Sequence, residues 1–421
     1  MTGDLGRTID AIWRIESATL IAGLTRLTRD VGLAEDLAQD ALLAALEQWP
    51  TAGVPRKPGA WLMTVAKRRA IDGRRRAPML DRSHAELGRD RDVSQEEAML
   101  AFHESLDDDL GDDVLRLLFM ACHPVLAVEA RAALTLRLLG NLGTADIARA
   151  FLTRESTMAQ RIVRAKRTLA EARVDFVMPR GVERAERLAS VLEVIYLVFN
   201  EGYSATSGDD WMRPALCEEA MRLGRILAAH APGDADVHAL LALMELHASR
   251  TAARTDRDGT PVLLLEQDRA RWDRLLIQRG LASLERALRL GGALGPYALQ
   301  AGIVACHARA RTADDTDWVK IVALYDALAQ VTPSPVVELN RAVAVSMAFG
   351  AAEALPLVEA LADHQALARY HLLPTVRADL LQRLGRFDEA RHEFERAASM
   401  TRNARERELL RRRAAACATG G

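Results

Sequence analysis

The stretch that decides the fold is Gly143–Ala172, GTADIARAFLTRESTMAQRIVRAKRTLAEA, which predicts two helices joined by a short turn. Ile147, Ala148 and Phe151 recur on one face of the first helix, and Thr144 is its expected N-cap. In the second helix, apolar and polar residues separate at helical spacing. The expected buried stripe is Met158, Ile162, Ala165 and Leu169, and the polar surface carries Arg154, Gln160, Arg161, Arg164, Lys166 and Arg167.

A short helix, a tight turn and a second helix rich in Arg and Gln are the layout of a helix-turn-helix. The second helix of that motif enters the major groove of DNA. Ser156 and Thr157 lie at the start of the second helix, where small hydroxyl side chains can cap it and reach a phosphate. The alternative is an ordinary helical hairpin with a solvated basic face, and this stretch alone does not separate the two.

Composition predicts an all-α protein of more than one domain. The chain has 421 residues, too many for one core, and only 5% of them are aromatic. It is rich in Ala, Leu, Arg and Glu, which favour helix. The net charge is −2, so any DNA-binding surface must be local. Charge is uneven: Arg56–Arg76 has eight basic residues and one acid, whereas Glu104–Asp113 has six acids and no base.

Several classes of function lack their signals. The four cysteines form no CxxC pair, so neither a disulfide framework nor a zinc site is indicated. We find no nucleophile–base pairing, phosphate loop or metal-ligand spacing, so we expect no catalytic residues, no metal and no cofactor. No run of eighteen apolar residues and no signal-peptide segment occur, so we expect a soluble, cytoplasmic protein without a membrane partner. The cysteines are Cys122, Cys217, Cys306 and Cys417.

The N-terminal part, from about Leu5 to Trp49, predicts two helices that break near residues 30–32. The second contains the sequence LAEDLAQDALLAALEQW, with its small and apolar residues on one side. Its polar side is expected to form a compact acidic patch. A plain solvated face is the alternative. The patch consists of Glu35, Asp36, Gln39 and Asp40.

A connection rich in Pro and Gly, Pro50–Gly59, should not continue the helix. It precedes GAWLMTVAKRRAIDGRRR, in which Trp61 leads an apolar stripe and the basic residues project from the remaining surface. A dense cationic helix with an aromatic residue at its start suits neutralisation of a nucleic-acid backbone and stacking on an unpaired base. A basic surface helix with a core Trp is the alternative. The basic residues are Lys67, Arg68, Arg69, Arg74, Arg75 and Arg76.

Ala77 to about Glu104 is polar and without periodicity, which predicts a flexible linker. Beyond Pro179 the chain is a succession of predicted helices broken by Gly and Pro. The stretch RADLLQRLGRFDEARHEFERAAS fits the small–large spacing of a tetratricopeptide repeat, and Pro335–Leu361 predicts a weaker unit of the same kind. Such helix pairs stack into an α-solenoid. The repeat positions are Ala378, Leu381, Gly385, Phe387, Ala390, Phe394 and Ala397.

Taken together, these motifs resemble a bacterial extracytoplasmic-function (ECF-type) sigma factor. The resemblance lies in the order and spacing of three stretches within roughly the first 175 residues: Leu33–Leu46, Gly59–Arg76 and Thr144–Leu169. The tail with tetratricopeptide-like repeats, preceded by YLVFNEGYSAT, is similar to one subgroup with such an extension. The resemblance implies two small helical sigma domains, the second with the helix-turn-helix, joined by a linker and followed by the α-solenoid.

The resemblance also assigns roles to residues. The acidic helix would dock on the clamp helices of the polymerase β′ subunit, the Trp-led helix would melt and read the −10 promoter element, and the helix-turn-helix would read the −35 element as duplex. The implied polymerase-binding residues are Glu35, Asp36, Gln39 and Asp40. Those for the −10 element are Trp61, Lys67, Arg68, Arg74 and Arg75. Those for the −35 element are Arg154, Ser156, Thr157, Gln160, Arg161 and Arg164.

The predicted domains are 1–76 (region-2-like), 77–106 (linker), 107–175 (region-4-like) and 180–415 (repeat-like). The predicted function is a sigma factor that binds core RNA polymerase and directs it to promoter DNA. Its C-terminal domain would regulate activity or bind a partner. It would contact polymerase, bind a regulatory protein, or fold onto the sigma domains of its own chain. A stand-alone helix-turn-helix regulator with a protein-binding repeat domain is the alternative.

Overall fold

The computed structural model describes residues 2–76, 106–151, 153–204 and 212–419. These ranges contain 18 α-helices and no β-strand, which confirms the all-α prediction. The chain divides into two compact units, Met1–Val194 and Ile195–Gly421. The division lies inside one helix, Gly181–Tyr203. The predicted linker Ala77–Glu104 lies outside the described residues.

In the first unit, α1 packs against α2, α3 and α4, and α7 contacts α2, α5 and α6. Both predicted sigma-like halves therefore belong to one compact unit. The helices are α1 (Thr2–Thr28), α2 (Val31–Ala52), α3 (Pro58–Arg76), α4 (Leu106–Ala121), α5 (Val128–Leu138), α6 (Thr144–Ala150), α7 (Glu155–Glu171) and α8 (Gly181–Tyr203).

Helix α2 has a well-defined start. The Asp30 carboxylate accepts hydrogen bonds from the backbone N–H groups of Gly32 (2.7 Å) and Leu33 (3.1 Å), which satisfies two of the free donors at the helix start. The predicted end at Pro50 is wrong, because the helix continues to Ala52. A proline in the last turn removes only one backbone donor. The helix stops at Gly53, whose φ of 81° suits glycine.

The start of α8 is tied to the turn after α4. Arg187, only 7% exposed, donates a hydrogen bond to the carbonyl oxygen of Phe119 over 2.9 Å. Ser190 donates to the carbonyl oxygen of Cys122, and Arg131 pairs with Glu193 over 3.0 Å. Side chains beyond the predicted region-4-like boundary at residue 175 therefore satisfy the free carbonyl groups at the end of α4.

The second unit contains ten helices in the ranges that the structure describes, and from α12 onward each helix packs against the next. This arrangement of successive helix pairs is that of the predicted solenoid. The helices are α9 (Pro214–His230), α10 (Ala235–Ala248), α11 (Arg274–Arg289), α12 (Pro296–Arg309), α13 (Trp318–Val331), α14 (Pro335–Phe349), α15 (Ala351–Glu359), α16 (Leu372–Arg383), α17 (Phe387–Met400) and α18 (Ala404–Thr419).

The predicted repeat residues form the core between α16 and α17. Ala378, Leu381, Ala390 and Phe394 are all fully buried. The turn between the two helices contains Gly385, whose φ of 75° is strained for any residue with a β-carbon. The small residues let the two helices approach, and the large ones fill the space between them.

The segment between α10 and α11 is irregular, and arginines organise it. Arg269 donates to the carbonyl oxygens of His307 and Ala310, and Arg250 donates to the Tyr203 hydroxyl over 2.7 Å. His307 is 7% exposed, and burial followed by the nearby Arg250 and Arg269 lowers its pKa to about 4. This imidazole is therefore neutral at neutral pH.

Candidate nucleic-acid and polymerase interfaces

Helices α6 and α7 form the predicted helix-turn-helix. Met158, Ile162, Ala165 and Leu169 are all buried, so the predicted apolar stripe of α7 is confirmed. The predicted cap of α6 is wrong: Gly143 occupies the N-cap position and Thr144 is already helical. Among the residues that the structure describes, Arg154 occupies the N-cap position of α7 and makes no side-chain cap hydrogen bond. The backbone donors of its first turn therefore remain available to an anion.

The residues predicted to read duplex DNA lie together on the polar face of α7. Arg161 is half-buried and the other five are exposed. Arg154 precedes the helix, Ser156 and Thr157 belong to its first turn, and Gln160 and Arg164 follow one turn apart. A guanidinium and an amide can each form two hydrogen bonds to base edges. This face therefore has the chemistry of a major-groove reader.

Two other cations of α7 are occupied by acids. Arg167 pairs with Glu171 on the same helix over 2.6 Å. Lys166 forms an ion pair with Glu35 of α2. Helix α7 therefore offers fewer unpaired cations to DNA than its sequence indicates.

Glu35 does not lie on the predicted acidic patch. It is 3% exposed, and its carboxylate accepts hydrogen bonds from Arg137 of α5 over 2.6 Å and from Gln39 over 2.9 Å, in addition to the Lys166 contact. Arg137 lies 102 residues along the chain from Glu35. No local pattern signals a pair so distant, so sequence analysis missed it.

The rest of the patch remains accessible. Asp36 is exposed, and Gln39 and Asp40 are half-buried. Arg69 of α3 donates to the Asp40 carbonyl oxygen over 2.8 Å and pairs with its carboxylate over 3.1 Å. Asp36 is consequently the member of the patch most available to another protein.

The Trp-led helix α3 packs through its aromatic residue. The rings of Trp61 and Trp49 meet edge to face, with centroids 5.3 Å apart. Trp49 is 2% exposed, whereas Trp61 is half-buried and keeps part of its surface at the protein exterior. Such packing fixes the start of α3 while leaving some aromatic surface for another ring.

The basic residues of α3 differ in their surroundings. Lys67 was expected to project from the helix but is 5% exposed, and burial together with the nearby charge of Arg26 lowers its pKa. Arg68 is exposed. Arg74 and Arg75 belong to the last turn of α3, and their side chains lie outside the described residues. Within the described side chains, Arg68 is thus the predicted −10 cation best placed to meet DNA.

Neither a metal nor a membrane site is found in the described ranges. No group of three or more His, Cys, Asp or Glu side chains there could hold a metal ion. None of the helices in those ranges has both the length and the apolar character of a membrane span.

Comparison with known proteins gives three family matches. Sigma-70 region 2 matches residues 16–78, and sigma-70 region 4 matches residues 116–169. A family of unknown function, DUF6596, matches residues 187–288. The chain is also 44% identical over 393 residues to an uncharacterized protein of Rhizobium meliloti (strain 1021), a match that covers 93% of this chain and 91% of that protein.

Regions 2 and 4 in this order, on these helices, define a bacterial transcription initiation factor of the sigma-70 class. The chain belongs to the ECF-type sigma factors and carries a helical C-terminal extension. As a sigma factor it binds core RNA polymerase and promoter DNA and directs promoter recognition at initiation. Sigma factors are initiation factors rather than enzymes.

Proposed function

We propose that the two sigma regions divide promoter recognition between α3 and α7, while α2 docks on the β′ clamp helices of core polymerase. The observation that carries the proposal is the separation of the exposed polar side chains into distinct faces on three helices. These faces carry opposite charges, acidic on α2 and basic on α3 and α7, as a protein partner and a polyanion respectively require.

The docking face of α2 is centred on Asp36, with Gln39 and Asp40 beside it. Asp36 is exposed, and no ion pair to it is present in the part of the chain that the structure describes. An exposed acid can exchange water for a basic partner without losing an internal contact. Glu35 joins this face only if its partners Arg137 and Lys166 are displaced.

The −10 element is bound by α3. Arg68 supplies phosphate contact, Trp61 offers part of an aromatic face for an unpaired base, and Arg74 and Arg75 extend the cationic helix. Stacking of a base on an aromatic ring is worth about 1–3 kcal/mol and tolerates any base. Lys67 contributes only through the local potential, because its amine is buried.

The −35 element is read by α7 as duplex. Its first turn presents uncapped backbone donors to a phosphate, and Gln160, Arg161 and Arg164 follow on the same face. Arg154, Ser156 and Thr157 flank the phosphate position. Each bidentate base contact contributes about 1–3 kcal/mol of discrimination, so two or three of them establish a sequence preference.

The C-terminal helical unit regulates activity by binding a regulatory protein or the sigma regions of its own chain. Stacked helix pairs present the extended surfaces that repeat proteins use to bind other proteins. The protein acts in the cytoplasm, where polymerase and chromosome are found.

The proposal is tested with Asp36→Lys in the full chain. We expect the variant to bind core polymerase at least about tenfold more weakly and to support proportionally less specific initiation in vitro, because a like charge now faces the basic partner. Asp10→Lys, an equal charge reversal at an exposed residue of α1, is the matched control. Undiminished polymerase binding by Asp36→Lys would refute the docking face.

A further inference from the structure

The carboxylate of Glu35 joins the two promoter-reading halves of the first unit. It belongs to α2, in region 2, and its three side-chain donors are Gln39 of the same helix and Arg137 and Lys166 of region 4. Glu35 is 3% exposed, and the side chains of Arg137 and Lys166 are 25% and 18% exposed. This is a largely desolvated ion-pair triad rather than a surface contact.

A second ion pair crosses the same junction with the charges reversed. Asp113 of α4 is fully buried and pairs with Arg26 of α1 over 3.3 Å and with Arg116 over 2.6 Å. Each half thus contributes a buried acid that pairs with at least one cation of the other half. Such pairs are specific in geometry and are screened by salt less than surface pairs are, because the two acids are buried.

This closed arrangement does not fit simultaneous reading of both promoter elements. Helices α3 and α7 both contact α2, and a helix of 22 residues is about 33 Å long. The −10 and −35 elements, by their names, are about 25 base pairs apart, or roughly 85 Å along a duplex. The two reading helices must therefore separate before both elements are engaged.

We propose that Glu35, Arg137 and Lys166 form a latch that holds the two sigma regions closed in the free protein and opens when polymerase and promoter are bound. The inference rests on the proposed assignment of α3 and α7 to two separate elements. Opening frees the Glu35 carboxylate to join Asp36 on the docking face. It also frees the Lys166 ammonium, on α7, from its acidic partner. One event thereby exposes a docking acid and a cation close to the DNA-reading residues.

The latch is tested by measuring the distance between two spin labels in the full-length protein. Labels at Gln48→Cys and Ala170→Cys report on α2 and α7 from exposed positions. The four native cysteines are buried and do not compete for the label. The latch variant is Arg137→Gln with Lys166→Gln. The control is Arg149→Gln with Arg167→Gln, which removes two charges from exposed pairs within region 4.

We expect one narrow short distance in the parent and the control, and a longer, broader distribution in the latch variant, with the open fraction raised at least about fivefold. Core polymerase with promoter DNA should shift the parent to the long distance. An unchanged distribution in the folded latch variant, or a short distance retained in the promoter complex, would overturn the latch.

A charge exchange covers the case in which the double variant does not fold. Arg137→Glu with Lys166→Glu places three acids together and should open the junction, and adding Glu35→Lys should restore the short distance. Failure of the exchange to restore it would also overturn the latch. Because the distances in the latch and charge-exchange variants are measured in the free protein, they are independent of the proposed function. The latter fails if the parent does not initiate transcription with core polymerase.

Discussion

Arg69 of α3 binds Asp40 of α2 twice, through the carbonyl oxygen at 2.8 Å and through the carboxylate at 3.1 Å. This double contact fixes the basic helix against the acidic one and uses one cation that the sequence would otherwise offer to DNA. Its neighbour Arg68 is exposed. Two adjacent arginines on one helix therefore have different tasks, one in packing and one at the surface.

Substituting Arg68 should affect DNA binding, and substituting Arg69 should affect the stability of the fold. We expect Arg68→Ala to leave the unfolding temperature unchanged and to weaken binding of the opened −10 strand. The slope of log affinity against log salt concentration should fall by the amount that corresponds to about one phosphate contact. Arg69→Ala should instead lower the free energy of unfolding by about 1 kcal/mol, because it removes a hydrogen bond to a main-chain carbonyl. Thermal unfolding and salt-dependent strand binding measure the two effects. Equal loss of binding in both variants would contradict this division.

Arg164 and Arg167 of α7 offer a second matched comparison. Arg164 lies on the predicted reading face, whereas Arg167 is paired with Glu171. We expect Arg164→Ala to cost about 1–3 kcal/mol of binding to the preferred −35 duplex and to reduce discrimination between duplexes. Arg167→Ala should change affinity little and alter no preference. Competition binding with preferred and mutated duplexes measures both, and lost preference in Arg167→Ala would show that the reading face is misassigned.

Arg187 should matter for the stability of the sigma regions although it belongs to the stretch matched by the family of unknown function. Its guanidinium is buried against the Phe119 carbonyl oxygen, and burial lowers its pKa. We expect Arg187→Ala to lower the free energy of unfolding of the first unit by about 2–3 kcal/mol, because it leaves a buried acceptor unpaired. Arg184→Ala, three residues earlier and exposed, is the control.

The thiol of Cys122 reports on that unit. Burial raises its pKa to about 12, so it reacts with a thiol reagent only when the region around it opens. Faster reaction of Cys122 is expected in Arg187→Ala and not in Arg184→Ala. Equal rates in the two variants would mean that the start of α8 does not stabilise α4.

The lowered pKa of His307 predicts that the second unit loses stability in mild acid. Its folded pKa of about 4 lies below the ordinary value of 6.5, because the imidazole is buried and faces Arg250 and Arg269. As the pH falls from 6.5 towards 4, the unfolded chain binds a proton that the folded chain does not, so stability decreases. The lost stability is about 2–3 kcal/mol at pH 4. Beside it, His247, whose pKa is also lowered well below 6.5, adds a similar effect.

Thermal unfolding of the full chain between pH 4 and pH 7 measures this dependence. His307→Gln should flatten it, because glutamine does not titrate. His392→Gln, at an exposed histidine, should leave the slope as it is. An identical slope in His307→Gln and in the parent would contradict the role of His307.

The sequence was a good guide where structure is local. Periodicity predicted two helices within Gly143–Ala172, where α6 and α7 lie, and the small–large spacing predicted the packed faces of α16 and α17. Errors arose at helix ends. Thr144 was expected to cap α6, and Pro50 was expected to stop α2. Both depend on backbone geometry over one turn, which side-chain type constrains only weakly.

The candidate site was less predictable, because ion pairs between residues far apart in the chain decide which of its charged side chains are buried and which are exposed. Glu35 and Lys67 were expected at the surface, and both are buried. The partners of Glu35 come from α5 and α7, more than a hundred residues away. A helical pattern shows which residues share a face but not which other helix covers it. Asp36 and Arg164 are exposed, as their helical patterns predict, and the binding roles proposed for them stay predictions.

Helix α8 limits how this chain can be taken apart. Its first turns carry Arg187 and Ser190, which bind carbonyl groups at the end of α4, and its later turns belong to the second compact unit. The extension is therefore not an appendage that a cut after the region-4 helix would remove cleanly. Any recombination that exchanged extensions between sigma factors, in evolution or in the laboratory, would have to keep this helix whole or supply new partners for Phe119 and Cys122. The boundary between the two compact units thus falls inside helix α8 rather than in a loop.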